Sequence, residues 1–291
     1  MKTMVPYIWA AGVVHMLIAS ANFFAPKKLQ YRENLSKVST IVRQIFVVHS
    51  IYIVLVLLLF SGLCFFFAPD LAGASRLGKF LSGFMAVFWL LRTCFQVFYY
   101  DPQLKRQNRF FDVGFTSSFL YLGLVFVLAA VGVGGTEPQR QLPTLIEPSS
   151  IHRLFSNTLW LAGIGHFCVL IASFQVPSRM HWKEDLAKLM PANRKLMYTY
   201  GVFIVMTIIA FGVLTLLLHD ELLRGEKSAL GLATFIGVFW LMRVVIDFTY
   251  HNHADWPQGT RFVIAHVLLT TLFLALTSTY LGLVAWHVWR L

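Results

Sequence analysis

Charged residues are scarce in this sequence. Only 13% of the 291 residues are Asp, Glu, Lys or Arg, against roughly 25% in a soluble domain. Hydrophobic residues make up 57%, and they stand in long uninterrupted runs that a globular core does not need. This composition excludes an ordinary soluble protein and predicts an all-α integral membrane protein, because continuous apolar runs are typical of spanning helices rather than of barrel strands.

Cysteine is also rare, and recognisable catalytic patterns are missing. The three cysteines, Cys64, Cys94 and Cys168, fall within apolar runs and form no CxxC pair, so the sequence shows no disulfide framework. HExxH and G-x-S-x-G do not occur, and no Gly-Lys-Ser/Thr follows the glycine-rich stretch at 131–135. These absences favour a protein that is not an enzyme, without excluding an enzymatic function.

The net charge of +11 does not indicate nucleic-acid binding, because the basic residues stand in short loops beside the apolar runs and form no basic domain. The loops after the odd-numbered spans carry 14 Lys and Arg, and the opposite side carries eight. The positive-inside rule therefore predicts a multi-pass protein of the plasma (inner) membrane, with both termini on the extracytoplasmic side.

About 20 apolar residues cross the hydrocarbon of a bilayer. On this basis the sequence predicts eight transmembrane helices, near 6–24, 43–67, 80–100, 110–134, 156–176, 195–218, 229–250 and 262–286. The segments Pro26–Ser39 and Pro177–Pro191 mix charged, apolar and aromatic residues at near-helical spacing. Each is interpreted as an amphipathic helix lying in the membrane interface, the alternative being an ordinary basic loop.

An internal repeat organises the chain. The sequence Phe-Trp-Leu-Leu-Arg at 88–92 returns as Phe-Trp-Leu-Met-Arg at 239–243, and His15 and His166 are separated by the same 151 residues. The pattern indicates gene duplication into two parallel four-helix repeats, 1–134 and 156–291, joined by a linker at 135–155. A pseudo-two-fold axis along the membrane normal follows from parallel repeats. The fourth spans align poorly, since two different offsets, 152 and 159, each pair part of them.

Two arginines lie well inside apolar runs, and a charge there marks a functional site or a specific buried pair. Arg243 and Asp247 are spaced i, i+4 and are predicted to form an ion pair on one helix. The third span has Arg92 and Gln96 at the matching positions and contains no carboxylate. Arg92 therefore needs an anion, carbonyl groups or a ligand from elsewhere, and it is the favoured ligand contact.

The sequence leaves three functions open. The first is binding or translocation of a small anionic or lipid-like substrate in transporter-like pockets, one in each repeat. By helical depth, those pockets are predicted to be lined by His15, His49 and Arg92, and by His166, Tyr200, Arg243 and Asp247.

The second is a redox protein with haem b or a quinone on His15, His166, His49 and His266. The third is a structural subunit of a larger membrane complex, in which the arginines only brace helices. No metal site is predicted, since the His-Asn-His loop at 251–253 is interpreted as solvated.

Overall fold

A computed structural model describes residues 3–73, 75–100, 106, 109–133, 150–251 and 259–289. All regular structure in these ranges is helical, and eight of the helices are long and apolar enough to cross a membrane. They are α1 (Val5–Asn22), α2 (Thr40–Phe66), α3 (Arg76–Cys94), α4 (Arg109–Ala130), α5 (Ser150–Ser173), α6 (Pro191–Leu217), α7 (Lys227–Thr249) and α8 (Thr260–Val288). The predicted number of spans is confirmed. The predicted linker up to residue 149, and residues 252–253 of the His-Asn-His loop, lie outside the described residues.

The ends of the long helices follow local chemistry. Pro6 lies in the first turn of α1 and Pro191 opens α6, where a missing N–H costs no helical hydrogen bond. The side chain of Ser75 caps α3 by accepting a 3.0 Å hydrogen bond from the N–H of Gly78. At its other end α3 continues into a π-helical turn, Phe95–Tyr99, whereas α7 stays α-helical to Thr249.

The segment between α1 and α2 and the segment between α5 and α6 each contain short helices in place of a single continuous helix. They contain the short helices Ala25–Lys28, Tyr31–Asn34, Val176–Arg179 and Trp182–Ala187, and the 3-10 turn Leu35–Lys37. Two further short helices, Ala68–Ala72 and His219–Arg224, follow α2 and α6. The prediction of one amphipathic helix per segment is therefore wrong. The breaks fall at Gln30 (φ 49°) and His181 (φ 47°), in left-handed conformations that end a helix.

The chain packs as two compact units. Unit 1 contains Met1–Asn34, Ile53–Leu142 and Leu189–Phe203, and unit 2 contains Leu35–Tyr52, Pro143–Lys188 and Ile204–Leu291. Helix α2 thus gives its first part to unit 2 and its second part to unit 1, and α6 does the opposite. This division follows packing, so it differs from the predicted repeats, which follow sequence similarity.

Side-chain caps show why α2 and α6 are divided in this way. In unit 1, Asn34 Oδ1 accepts a 2.9 Å hydrogen bond from the N–H of Met190, at the start of α6. In unit 2, Asp185 Oδ2 accepts hydrogen bonds from the N–H (2.8 Å) and hydroxyl (2.6 Å) of Ser39, at the start of α2. Each cap satisfies an N–H group at a helix start, which would otherwise have no intrahelical partner. The start of each divided helix is therefore held by a loop of the other predicted repeat.

Close helix packing completes each unit. In unit 1, Ser61 donates a 2.9 Å hydrogen bond to the carbonyl of Gly12, where a Cβ would lie only 3.0 Å from the ring of Phe65. In unit 2, a Cβ at Gly163 would lie 2.6 Å from the side chain of Leu216. Glycine lets α1 approach the end of α2, and α5 the end of α6, more closely than a larger residue allows. These contacts fix the depth of His15 and His166, which follow three residues later.

Candidate functional site

The residues of the repeated Phe-Trp-Leu-x-Arg sequence hold a cluster together in unit 1. The indole Nε1 of Trp89 donates to His15 Nε2 at 3.0 Å. The indole ring stacks on Phe119 of α4, with ring centroids 5.3 Å apart and an interplanar angle of 27°. The guanidinium carbon of Arg92 lies 4.6 Å from the centroid of the same Phe119 ring, in a cation–π contact. His15, Trp89, Arg92 and Phe119 are called cluster 1, and they join α1, α3 and α4.

Unit 2 contains the same contacts. Trp240 Nε1 donates to His166 Nε2 at 3.1 Å, and the indole stacks on Phe273 at 5.3 Å and 14°. The guanidinium carbon of Arg243 lies 4.8 Å from the Phe273 centroid. These four residues are called cluster 2. Phe119 and Phe273 are 154 residues apart, so α4 and α8 correspond at a register between the two offsets that the sequence suggested.

The two buried histidines have both ring nitrogens engaged. His15 Nδ1 donates to the carbonyl of Ala11 and His166 Nδ1 to that of Ala162, each at 2.6 Å, while each Nε2 accepts from its tryptophan. Both imidazoles are therefore neutral and fully hydrogen-bonded. This arrangement does not fit axial ligation of haem iron, which needs a free imidazole nitrogen. In the described residues, no group of three or more His, Cys, Asp and Glu side chains is placed to hold a metal ion.

Arg92 is linked to an acidic residue through one intervening side chain. Arg92 Nη1 donates to Gln96 Oε1 at 3.2 Å, and Gln96 Nε2 donates to Asp112 Oδ1 at 2.7 Å. The sequence correctly indicated that the third span has no carboxylate, but Asp112 was missed as a site residue. The available signal was that Asp112 is the single acidic residue of the predicted fourth span.

The acidic partner of Arg243 is in direct contact. Arg243 Nη1 lies 3.0 Å from Asp247 Oδ1, which confirms the predicted ion pair. Asp247 is almost completely buried, and its Oδ2 accepts a 3.0 Å hydrogen bond from Thr270 and lies 3.6 Å from His266 Nε2. Both carboxylate oxygens are thus engaged by α7 and α8. A buried carboxylate needs partners of this kind to remain charged.

His49 and Tyr200 exchange their predicted places. His49 was predicted beside Arg92, but it belongs to unit 2, where Arg243 is close enough to affect it electrostatically. Its Nδ1 donates to the carbonyl of Ile45 at 2.8 Å, and its ring meets Trp182 edge-on at 6.4 Å. The correction follows from the division of α2, whose first part packs in unit 2.

Tyr200, which was predicted beside Arg243, lies in unit 1 because α6 is divided in the opposite sense. Its phenol lies close enough to that of Tyr31 to affect it electrostatically, and both side chains are buried. Burial, together with the neighbouring phenols of Tyr200 and Tyr100, raises the pKa of Tyr31, so this phenol stays protonated. Tyr100 donates to Thr199 at 3.2 Å, and its ring centroid lies 5.4 Å from the guanidinium carbon of Arg92. Unit 1 therefore has neutral hydroxyl groups where unit 2 has imidazoles.

The two arginines differ in the charge of their hydrogen-bond acceptor. Arg92 and Arg243 each use one of their five N–H donors for a hydrogen bond within the described residues. For Arg243 the acceptor is a carboxylate, and for Arg92 it is the neutral amide of Gln96. Gln96 also lies in the π-helical turn of α3, and such turns are frequent at functional sites. Of the two arginines, Arg92 is therefore the one that has no directly bonded anion among the described residues.

These helices define a polytopic membrane protein. No family model, curated protein or solved structure matches this chain. A function for this chain therefore rests on the chemistry of its own site.

Proposed function

We propose that this protein binds or translocates a small anionic or lipid-like substrate, and that Arg92 is the anion contact. The observation that carries the proposal is the environment of this guanidinium. It lies within a membrane span, half-buried over the aromatic ring of Phe119, and its hydrogen bond within the described part of the chain goes to the neutral Gln96. A phosphate or carboxylate would be bound there by two parallel N–H···O bonds, strengthened by the low dielectric of the surroundings.

The surroundings of Arg92 suit the head of an amphiphile. The ring centroid of Tyr100 lies 5.4 Å from the guanidinium carbon, and its hydroxyl donates to Thr199, which donates in turn to the carbonyl of Lys195. These side chains add no charge beside the arginine. Asp112 is linked to Arg92 through Gln96, which takes up one of the five guanidinium N–H donors. Other N–H groups of the guanidinium can thus still donate hydrogen bonds to an anion.

Cluster 2 supports a different role, that of bracing helices. Arg243 is neutralised by Asp247, which is also held by Thr270 from α8. The ion pair and hydrogen bond tie α7 to α8 and leave no carboxylate oxygen without a partner. On this proposal only the first site takes a ligand, and the second maintains the packing of its unit.

The matched contacts of clusters 1 and 2 support the further proposal that the chain arose by duplication into two parallel four-helix repeats. The left-handed residues Gln30 and His181, which are 151 residues apart, and the two helix caps support the same relation. The predicted loops after spans one, three, five and seven carry most of the Lys and Arg residues. This excess favours a cytoplasmic position for these loops and an extracytoplasmic position for both termini at the plasma membrane.

Ligand-induced thermal stabilisation tests the proposed anion site. Purified protein in neutral detergent is heated with an alkyl phosphate, with a fatty-acid carboxylate, or with the alcohol of the same chain length. We expect the two anions, but not the alcohol, to raise the apparent Tm. Arg92→Lys keeps the charge but loses the planar fork of donors, so apparent affinity should fall about tenfold, which corresponds to roughly 1.4 kcal/mol.

Arg243→Lys is the matched control, because it makes the same chemical change in cluster 2. It should leave the response to the anions unchanged. An equal loss of response in both variants, or a full response in Arg92→Lys, contradicts the proposal. Stabilisation by the alcohol as strong as by the anions shows that only the alkyl chain binds.

A further inference from the structure

An apolar groove runs between α1 and α4 in unit 1, and neither Asp112 nor Phe119 is part of its lining. Its volume is about 230 Å³, and it is lined by Val14, Leu17, Ile18, Phe110, Phe111, Gly114, Phe115 and Ser118. The groove is open above Gly114, where a Cβ would meet no atom within 4 Å. Ser118 donates its hydroxyl to the carbonyl of Gly114 at 2.8 Å, so the one polar side chain in the lining is satisfied within its own helix. The lining is suited to a hydrocarbon chain.

A basic side chain contacts the aromatic lining of this groove. The ammonium of Lys28 lies 4.5 Å from the centroid of the Phe111 ring, which is part of the lining. Exposed Lys27 is its chain neighbour, and exposed Arg109 precedes Phe110 at the start of α4. An apolar groove with a lysine on its aromatic lining, and two further cations beside Lys28 and Phe110 in the sequence, is complementary to an acyl chain with an anionic head.

The corresponding positions in unit 2 carry larger side chains. The register of Phe119 and Phe273 aligns Gly114 with Leu268 and Ser118 with Leu272. A leucine side chain therefore stands on α8 where α4 has the open position of Gly114. The matching cation is Arg179, whose guanidinium carbon lies 5.7 Å from the centroid of Phe262. Unit 2 thus keeps a cation near an aromatic ring but has larger side chains at the positions of Gly114 and Ser118.

We propose that the groove of unit 1 binds one anionic phospholipid, with an acyl chain over Gly114 and the phosphate head on Lys28 and its basic neighbours. Any bilayer lipid, anionic or zwitterionic, can fill an exposed apolar groove with its acyl chain. The cations make the site selective for anionic head groups. This site does not involve Arg92 and does not depend on the substrate site proposed above.

The test compares retention of phosphatidylglycerol and phosphatidylcholine with identical acyl chains, measured by native mass spectrometry from neutral detergent. Wild-type protein should retain one phosphatidylglycerol in preference to phosphatidylcholine. Lys28→Gln should weaken retention about fivefold, as expected for one basic residue beside an anionic head, and Arg179→Gln should not. Gly114→Leu should abolish selective retention, and its fold is supported by Leu268 at the matching place.

Leu17→Trp, which fills the groove from α1, gives a second variant of the same kind. Equal retention of the two lipids by wild-type protein overturns the proposal, as does undiminished retention in both groove-filling variants. Arg92→Lys must leave phosphatidylglycerol retention intact. Loss of retention in Arg92→Lys, with no effect of Gly114→Leu, assigns the lipid to the Arg92 site and overturns the groove.

Discussion

Giving Arg92 the same neighbouring side chains as Arg243 tests the asymmetry between the two arginines. In cluster 1 the order from the arginine is Gln96 and then Asp112, and in cluster 2 it is Asp247 and then His266. The double variant Gln96→Asp with Asp112→His gives cluster 1 the chemistry of cluster 2. We expect each single change to destabilise the protein and the double variant to recover.

The magnitudes follow from the contacts. Gln96→Asp replaces the amide that donates to Asp112 at 2.7 Å, so two carboxylates meet in place of a hydrogen bond. Two like charges about 4 Å apart repel by about 4 kcal/mol at an effective dielectric of about 20. Uptake of a proton limits this cost, and about 2–4 kcal/mol is expected. Asp112→His alone removes the carboxylate linked to Arg92 and should cost about 1–3 kcal/mol.

The double variant should lie within about 1 kcal/mol of wild type, because an imidazole beside the new carboxylate reproduces the Asp247–His266 contact. The assay is the apparent Tm in detergent, where roughly 2–4 °C corresponds to 1 kcal/mol. The same variant should lose its response to alkyl phosphate, since Arg92 then has a directly bonded carboxylate. If the loss of apparent Tm in the double variant equals the sum of the losses in the two single variants, the reasoning is refuted.

Two further predictions concern residues outside the anion site. Trp89→Phe keeps an aromatic ring but leaves His15 Nε2 buried without a donor, so unfolding should become easier by about 1–3 kcal/mol, measured as a lower apparent Tm; an unchanged Tm contradicts this. For Asp185, burial raises the pKa, but hydrogen bonds from Lys188 and Ser39 outweigh it and lower the pKa overall. A carboxyl group with a lowered pKa in the folded state stabilises the protein at pH above its unfolded-state pKa of about 3.9. This stabilisation is lost as the pH falls through the folded-state pKa. Wild type should therefore lose more apparent Tm below about pH 4 than Asp185→Asn, which retains an acceptor like that of Asn34; equal losses count against the role of this charge.

Hydropathy was sufficient to predict the spans, because each crossing needs a run of about 20 apolar residues, and that requirement is local in the sequence. The Arg243–Asp247 pair was predictable for the same reason, since i, i+4 neighbours share a helix face. Asp112 was not, because its link to Gln96 joins two spans, and helical spacing within one span does not reveal which neighbour it meets.

The exchange of His49 and Tyr200 was unpredictable for a related reason. It depends on Asn34 and Asp185, short polar side chains in loops, which decide where α6 and α2 begin to pack. Loop residues of this type are common, and their sequence does not identify a distant helix start as their partner. The register of α4 and α8 also had to come from contacts, because no single offset aligns the two spans in the sequence.

The division of α2 and α6 between the units also has a consequence for biosynthesis. Unit 1 needs Leu189–Phe203, and Phe203 is synthesised 73 residues after the end of α4 at Ala130. At 5–20 residues per second this is a delay of roughly 4–15 s. During that time the first four spans are in the membrane without their last packing partner, and Asn34 has no helix start to cap. A truncated first half should therefore be a target for quality-control proteases, and co-expression of the second half should rescue it.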